Sequence, residues 1–281
     1  MKPGRGSRTA VMVCSWRAVA HATSELKRFS DPTALPLLPP RAAARTRRLI
    51  ADQGPHTLRE RFSRPFLEKR VQMMVARTVA IDDAIRELDS PQLVILGAGL
   101  DGRAYRMPEL ASTVVFEVDH PDSQREKRDR VSGLSQRAKE VRFVAVDFAH
   151  DSLEQALQAA GHDPARPTTW IWEGVVMYLT TAQVESSLRV IAARSAPKSR
   201  LVVLYHSPAW ILHVVGFLVR RLGEPLRSSF EPEAMRALLA KYGFVVFRDQ
   251  DLSEIGDSLS REVGEATRMM RHTRIVTGDR P

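Results

Sequence analysis

From Gln92 onward the chain sets up a rhythm that few folds accept: short, unbroken runs of Val, Ile and Leu alternate with longer amphipathic stretches. The runs at Gln92–Leu96, Val114–Val118, Val141–Val146, Thr169–Trp172 and Leu201–Tyr205 are continuously apolar, as strands buried on both faces of a parallel sheet must be. Helical stretches at about 121–132, 151–160, 181–195 and 231–241 separate or follow them. Strand–helix alternation implies a mostly parallel sheet made by right-handed crossovers, with helices on both faces. Two later runs, Phe244–Arg248 and Arg274–Thr277, add a closing strand pair, and residues 208–230 read as a helical insertion over the sheet edge.

The first ninety residues follow a different pattern. Helices are expected over about 10–28, 41–52 and 57–88, interrupted by the Pro-rich stretch Asp31–Pro40 and stopped at Ser90-Pro91, where proline biases Ser90 away from helix. The expected division is therefore a helical cap, 1–90, and an α/β core, 91–281. The net charge is +9, and residues 1–90 carry 17 Lys and Arg against 9 Asp and Glu, so the basic excess sits in the cap. A basic surface of this kind attracts anions. With few aromatics interleaved, a small anionic molecule fits it better than a nucleic acid, although an RNA-binding protein remains a rival reading. Cys14 is the only cysteine, which excludes an intrachain disulfide and an all-cysteine metal cluster and suits a reducing cytoplasm. No metal site is expected. Arg17 interrupts the apolar start, so a secretory signal is not expected, and the longest apolar stretch, Trp210–Val219, is too short to span a bilayer.

The chemistry concentrates where strands end. Leu93-Val-Ile-Leu-Gly-Ala-Gly-Leu-Asp-Gly102 runs a strand into glycines at 97, 99 and 102, which let backbone approach a ligand closely. In open α/β sheets ligands bind at the carboxyl ends of the strands, where this loop would lie. About 20 residues on, Phe116-Glu-Val-Asp119 ends the next strand in acids suited to ribose hydroxyls. Glu117 and Asp119 are expected to face opposite ways and to hold different roles. Both elements serve a nicotinamide-dependent oxidoreductase equally well. The third acid, Asp147 in Val144-Ala-Val-Asp-Phe148, tips the balance: at the end of the third strand it can accept from an adenine amino group while Phe148 frames the base. A fourth strand ends at Glu173-Gly174, followed by Met177 and Tyr178, with Glu173 placed to meet an ammonium group and the apolar pair to line a pocket.

Taken together these segments resemble the leucine carboxyl methyltransferase family, in particular its bacterial branch. The matching text is Ala76-Arg-Thr-Val-Ala-Ile-Asp-Asp83, Val94-Ile-Leu-Gly-Ala-Gly-Leu-Asp-Gly-Arg-Ala-Tyr-Arg106, Phe116-Glu-Val-Asp-His-Pro121, Val146-Asp147 and Gly161–Gly174, with Ser30-Asp-Pro-Thr-Ala34 fitting more loosely. The resemblance covers about residues 20–205. It implies a Rossmann-like class I methyltransferase fold with a seven-stranded sheet, and S-adenosyl-L-methionine as cofactor. Carried onto matching positions, it implies that Arg77 anchors the cofactor's carboxylate, a task suited to a guanidinium fork. Gly97 and Gly99 would line the methionine portion, Asp119 the ribose, and Asp147 and Phe148 the adenine. Glu173 would face the methionine end. Glu117 and His120, beside Asp119, join the cofactor-facing candidates. This chain departs from the family in having Gly102 where threonine is usual, and His120 after Asp119. The early basic residue expected before Asp31-Pro32 is either Arg17 or replaced by His21.

The family resemblance favours a carboxylate acceptor, which is ionised at neutral pH and needs no base. A hydroxyl acceptor would need one, and Tyr178, Tyr205 and His206, with His213 in the insertion, are the candidates. Met177, Tyr178, Trp210, Ile211 and Phe217 would then hold the apolar body of a small-molecule carboxylate.

Overall fold

The computed structural model describes residues 7–51, 58–147, 150–209 and 226–281, the side chains of 58–63 excepted. The seven strands are β1 (Gln92–Leu96), β2 (Val114–Asp119), β3 (Glu140–Ala145), β4 (Thr168–Trp172), β5 (Arg200–His206), β6 (Val245–Asp251) and β7 (Thr273–Asp279). They form one sheet in the order β3-β2-β1-β4-β5-β7-β6. Strand β7 alone runs against its neighbours, pairing antiparallel with β5 and β6. The unbroken apolar runs are explained by this: all five residues of β1 and of β4 are buried.

Before the sheet come α1 (Arg8–Thr23), α2 (Ala34–Leu37), α3 (Pro40–Ala51) and α4 (Leu58–Arg86). Within it lie α5 (Arg103–Arg106), α6 (Pro121–Val131), α7 (Leu153–Ala159), α8 (Thr181–Ala193), α9 (Pro232–Lys241), α10 (Leu252–Leu259) and α11 (Arg261–Thr267). The N-terminal helices do more than cap. Met74, Val75 and Val79 of α4 share one hydrophobic cluster with Leu93, Ile95, Val115 and Val202 of the sheet and Leu252 and Ile255 of α10. They therefore supply much of one helical layer. The other face packs Val94, Phe116, Trp170 and Val203 against α7, α8 and α9.

Helices α10 and α11 are absent from the periodicity, yet both carry start signals. Asp251 accepts from the Ser253 and Glu254 N–H groups while Glu254 reaches back to the Asp251 N–H, a reciprocal capping box, and Ser260 caps α11. In the insertion, residues 210–225, including Trp210, Ile211, His213 and Phe217, lie outside the described residues. The returning chain crosses the ends of β4 and β5: the Arg227 N–H donates to the Met177 carbonyl (2.7 Å) and the Phe230 N–H to that of His206 (2.9 Å). Among the described residues, no helix is long and apolar enough to cross a membrane.

One buried histidine ties the fold to pH. Arg194 Nε donates to His162 Nδ1 (3.3 Å), which leaves Nε2 to donate to Thr168 Oγ1 (3.1 Å). Burial, then the Arg194 charge, pushes His162 down to about 4. A folded value below the unfolded one of about 6.5 gives stability that is complete above pH 6.5 and lost as pH falls toward and through 4, roughly 3 kcal/mol in all. Urea midpoints should fall across that window, and His162→Asn, whose amide does not titrate, should flatten the decline.

Candidate functional site

The register of the sheet assembles the site. Leu96 lies level with Val118 on one side and Trp172 on the other, so Gly97, Asp119 and Glu173 leave the sheet abreast. Asp119 in turn pairs with Ala145, two residues before Asp147. Chain order runs from β1 outward to β3 on one side and from β4 outward on the other. The crevice between β1 and β4 is thus the switch point at which open α/β sheets bind ligands.

Gly97 and Gly99 sit at φ +72° and +47°, the left-handed region that favours glycine. A Cβ on Gly97 would come within 2.2 Å of Val175 Cγ2. The Gly97 and Ala98 N–H groups both donate to the Val118 carbonyl (2.8 and 3.0 Å), which folds the loop onto β2. Asp119 accepts from the Gly99 N–H at Oδ2 and from the His120 N–H at Oδ1 (2.6 Å). A carboxylate has about four acceptor sites, so this one holds the loop and keeps capacity for two more donors.

Beneath the crevice lies a buried charge network that joins the N-terminal helices to the strand ends. Arg103, 1% exposed, is its centre: Nε meets Asp82 of α4 (2.8 Å) and Nη1 meets Glu173 (2.9 Å) and Asp101. Arg106 takes both oxygens of Asp82 (2.7 and 2.9 Å). Arg77 pairs with the other oxygen of Glu173. Burial alone would push Glu173 up, but Arg77 and Arg103 hold it below the usual carboxylate range. Arg17 pairs with Asp31 (3.2 Å) and donates to the Leu100 carbonyl, while His21 Nδ1 accepts from the Asp31 N–H (3.3 Å), so both early basic positions serve this segment. The family's threonine is replaced in space as well: a Cβ on Gly102 would stand 1.8 Å from Thr33 Oγ1, which donates to Asp31 (2.7 Å).

On the other side of Asp119, the Asp147 carboxylate is half-exposed and lies 2.9 Å from His150 Nδ1 and 3.9 Å from His120 Nε2. Phe148 lies outside the described residues. Asp147→Ala should leave the fold intact and weaken S-adenosylhomocysteine binding roughly 5- to 150-fold, the value of one lost hydrogen bond to a buried group, measured by calorimetry.

Not every candidate faces the crevice. Residues two apart in a strand share a face, so the expectation that Glu117 and Asp119 face opposite ways fails. Glu117 instead pairs with Lys127 of α6, deep in the protein. Tyr205 points to the opposite face, where its hydroxyl donates to Asp249 (3.0 Å). His206 follows on the crevice side, its ring centroid 6.0 Å from that of His272. Burial, with His272 and Arg77 nearby, pushes His206 down to about 3. Tyr178 lies half-buried in the turn Val176–Tyr178 after β4. A cavity of about 460 Å3 between α4, α10, β6 and β7 lies apart from the strand-end acids, which define the site by register instead.

Comparison with known proteins agrees with this arrangement. A Mycobacterium sp. (strain JLS) protein described as a candidate S-adenosyl-L-methionine-dependent methyltransferase is 37% identical over 202 residues, 72% of this chain and 66% of its own length. A similarly described Mycolicibacterium paratuberculosis protein is 38% identical over 206 residues, 72% of this chain and 67% of its own. The chain thus spans about two thirds of the length of these relatives. Among solved structures, a Bordetella parapertussis protein described as a possible exported protein superposes over 100% of this chain and 99% of its own, with TM-score 0.55 and 16% identity. A SAM-dependent methyltransferase from Archaeoglobus fulgidus covers 74% of this chain and 94% of its own, with TM-score 0.50 and 11% identity. At those identities the likeness is one of fold. The model of the leucine carboxyl methyltransferase family matches residues 10–192, which take in most of the N-terminal helices, the glycine loop and the strand-end acids Asp119, Asp147 and Glu173, and the chain belongs to that family.

Proposed function

We propose that this chain transfers a methyl group from S-adenosyl-L-methionine to the carboxylate of a small molecule, giving a methyl ester. The observation that carries the reading is the line of strand ends at the switch point: the Gly97–Gly99 loop, Asp119 with acceptor capacity left over, and Asp147 beyond it. That donor–acceptor set fits a nucleoside. Asp119 would accept both ribose hydroxyls and Asp147 the adenine amino group. Arg77 and Glu173, a cation and an anion side by side at the end of β4, fit the opposite charges of an amino-acid tail.

When bound, the sulfonium supplies an activated methyl group for in-line displacement, a step that needs alignment more than acid–base help. The state of His206 favours the carboxylate acceptor. A base held at about 3 is far from the near-neutral value that efficient proton removal asks for. A carboxylate needs none. The basic N-terminal helices would draw such an anion toward the crevice.

Incubation with methyl-labelled cofactor and a panel of small carboxylic acids and phenols tests the reading. A product that releases labelled methanol in mild alkali supports it. An alkali-stable product would instead mean a hydroxyl or nitrogen acceptor and would return His206 to the reaction as a base.

A further inference from the structure

Two elements project past the sheet beyond the Arg77–Glu173 pair. Helix α4 runs against the strands: its Glu87 meets Arg200 at the start of β5 (3.0 Å), and its Arg77 meets Glu173 just past the end of β4. Residues before Arg77 therefore stand above the strand ends. Arg70 lies seven residues earlier, two turns and about 10 Å away on the same side of the helix. Its guanidinium carbon lies over two rings, 4.8 Å from the centre of Phe66 and 5.6 Å from that of Trp16 in α1. Among the described residues no carboxylate pairs with Arg70, whereas Arg17, Arg77, Arg103 and Arg106 each have one. Stacking uses the face of a guanidinium and leaves its N–H edge for a planar anion. Burial pushes Arg70 down, and no carboxylate pushes back.

The second element is the corner of β5 and β7. Trp172, the last residue of β4, is level with Val203, so His206 stands three residues farther on, about 10 Å. Leu204 packs in the cluster shared with α4, and His206, two residues on, takes the same face. His206 pairs with Thr273, which sets His272 beside it, ring centroids 6.0 Å apart. The Ser207 N–H donates to the His272 carbonyl (2.8 Å) and fixes the corner. His206 Nδ1 is buried and has no hydrogen-bond partner among the described residues. Buried polar atoms are normally paired, and an incoming ligand would pair this one. The electrostatics match the placement: after burial, Arg70 lowers His272, and His272 and Arg77 lower His206. We propose that Arg70 and His206 bind the carboxylate of the methyl acceptor, Arg70 by its N–H edge and His206 through Nδ1–H. The inference rests on the carboxylate reading of the acceptor. One carboxylate oxygen attacks: its lone pair forms the O–CH3 bond, the S–CH3 electron pair stays on sulfur, and no proton moves. Phe66, 60% exposed, leaves an apolar surface beside Arg70 for the body of the acid.

The test uses the full chain, methyl-labelled cofactor and benzoate, phenylacetate, octanoate and dodecanoate, and follows the acid that is methylated fastest. Arg70→Gln should raise KM for that acid about tenfold or more, the value of a lost hydrogen bond between charged groups. Its S-adenosylhomocysteine affinity, by calorimetry, and its melting temperature should stay near those of the wild type. Arg70→Lys keeps the charge and should recover part of the loss. His206→Phe should raise KM roughly fivefold, whereas His206→Asn, whose amide nitrogen can stand where Nδ1 stood, should not. Arg45→Gln removes an exposed charge of α3 and separates contact from general attraction of anions; its KM should stay within about twofold of the wild type. A wild-type KM in Arg70→Gln, an equal loss in Arg45→Gln, or a matching loss of S-adenosylhomocysteine affinity would overturn the role of Arg70. Should Arg70→Gln fail to fold, Arg70→Lys and His206→Phe decide, and wild-type KM in both would overturn the proposal. If no acid gives an alkali-labile methyl product, the carboxylate reading falls and this inference with it. If acids are methylated and the Arg70 and His206 variants behave as the wild type, the inference alone falls.

Discussion

Replacing Arg103 by methionine should destabilise the protein by about 3–5 kcal/mol, the range for breaking a buried ion pair by removing one partner. Arg103 is 1% exposed and answers three carboxylates, Asp82, Asp101 and Glu173. Against burial, Arg106 and then Arg103 hold Asp82 below the usual carboxylate range, and Arg103 is the main charge that does so for Asp101. Methionine fills much of the volume and leaves those anions with too little positive charge. Because Asp82 belongs to α4, Asp101 to the glycine loop and Glu173 to the end of β4, the loss should loosen helix, loop and strand end together. Urea unfolding measures it. A fall below 1 kcal/mol would mean that Arg106 and Arg77 carry the network without Arg103. The sign with pH follows from the depressed carboxylates: their contribution is complete above about pH 4, the unfolded value, and is lost as pH drops toward their folded values.

The largest effect on ligand affinity is expected at Asp119. Its carboxylate accepts from the Gly99 and His120 N–H groups and, in the proposed complex, from two ribose hydroxyls. Hydrogen bonds to a charged acceptor are worth about 1.5–3 kcal/mol each. Asp119→Ala should therefore weaken S-adenosylhomocysteine binding by about 3 kcal/mol, roughly 150-fold, while the melting temperature falls only a little. An affinity within threefold of the wild type in a folded variant would place the ribose elsewhere.

The sheet was legible because burial on both faces leaves a plain sequence trace: all five residues of β1 are apolar or buried, and the expected bounds, 92–96, are those observed. Asp119, Asp147 and Glu173 were legible as strand-end positions for the same reason, since polarity returns at or just after the end of a buried strand. Three kinds of feature were not. Helices α10 and α11 are short, and their signal lies in caps at Asp251 and Ser260 rather than in periodicity. Arg103 and Asp82 stood inside the family text, but which of several arginines and aspartates would meet depends on how α4 crosses the sheet. Lys127 left almost no trace, because one buried lysine in a polar helix looks like its solvated neighbours until the fold shows which face is covered. Tyr205 and Glu117 misled in the converse way: polar residues near strand ends suggested the site, but the pleat turns Tyr205 to the other face, toward Asp249, and Glu117, on the same face as Asp119, is held deeper by Lys127.

The most direct test of the whole account is a calorimetric titration of the purified full chain with S-adenosylhomocysteine and, separately, with NAD. The account predicts binding of one S-adenosylhomocysteine per chain, abolished or greatly weakened by Asp119→Ala, and no binding of NAD. Binding of NAD with none of S-adenosylhomocysteine would contradict it.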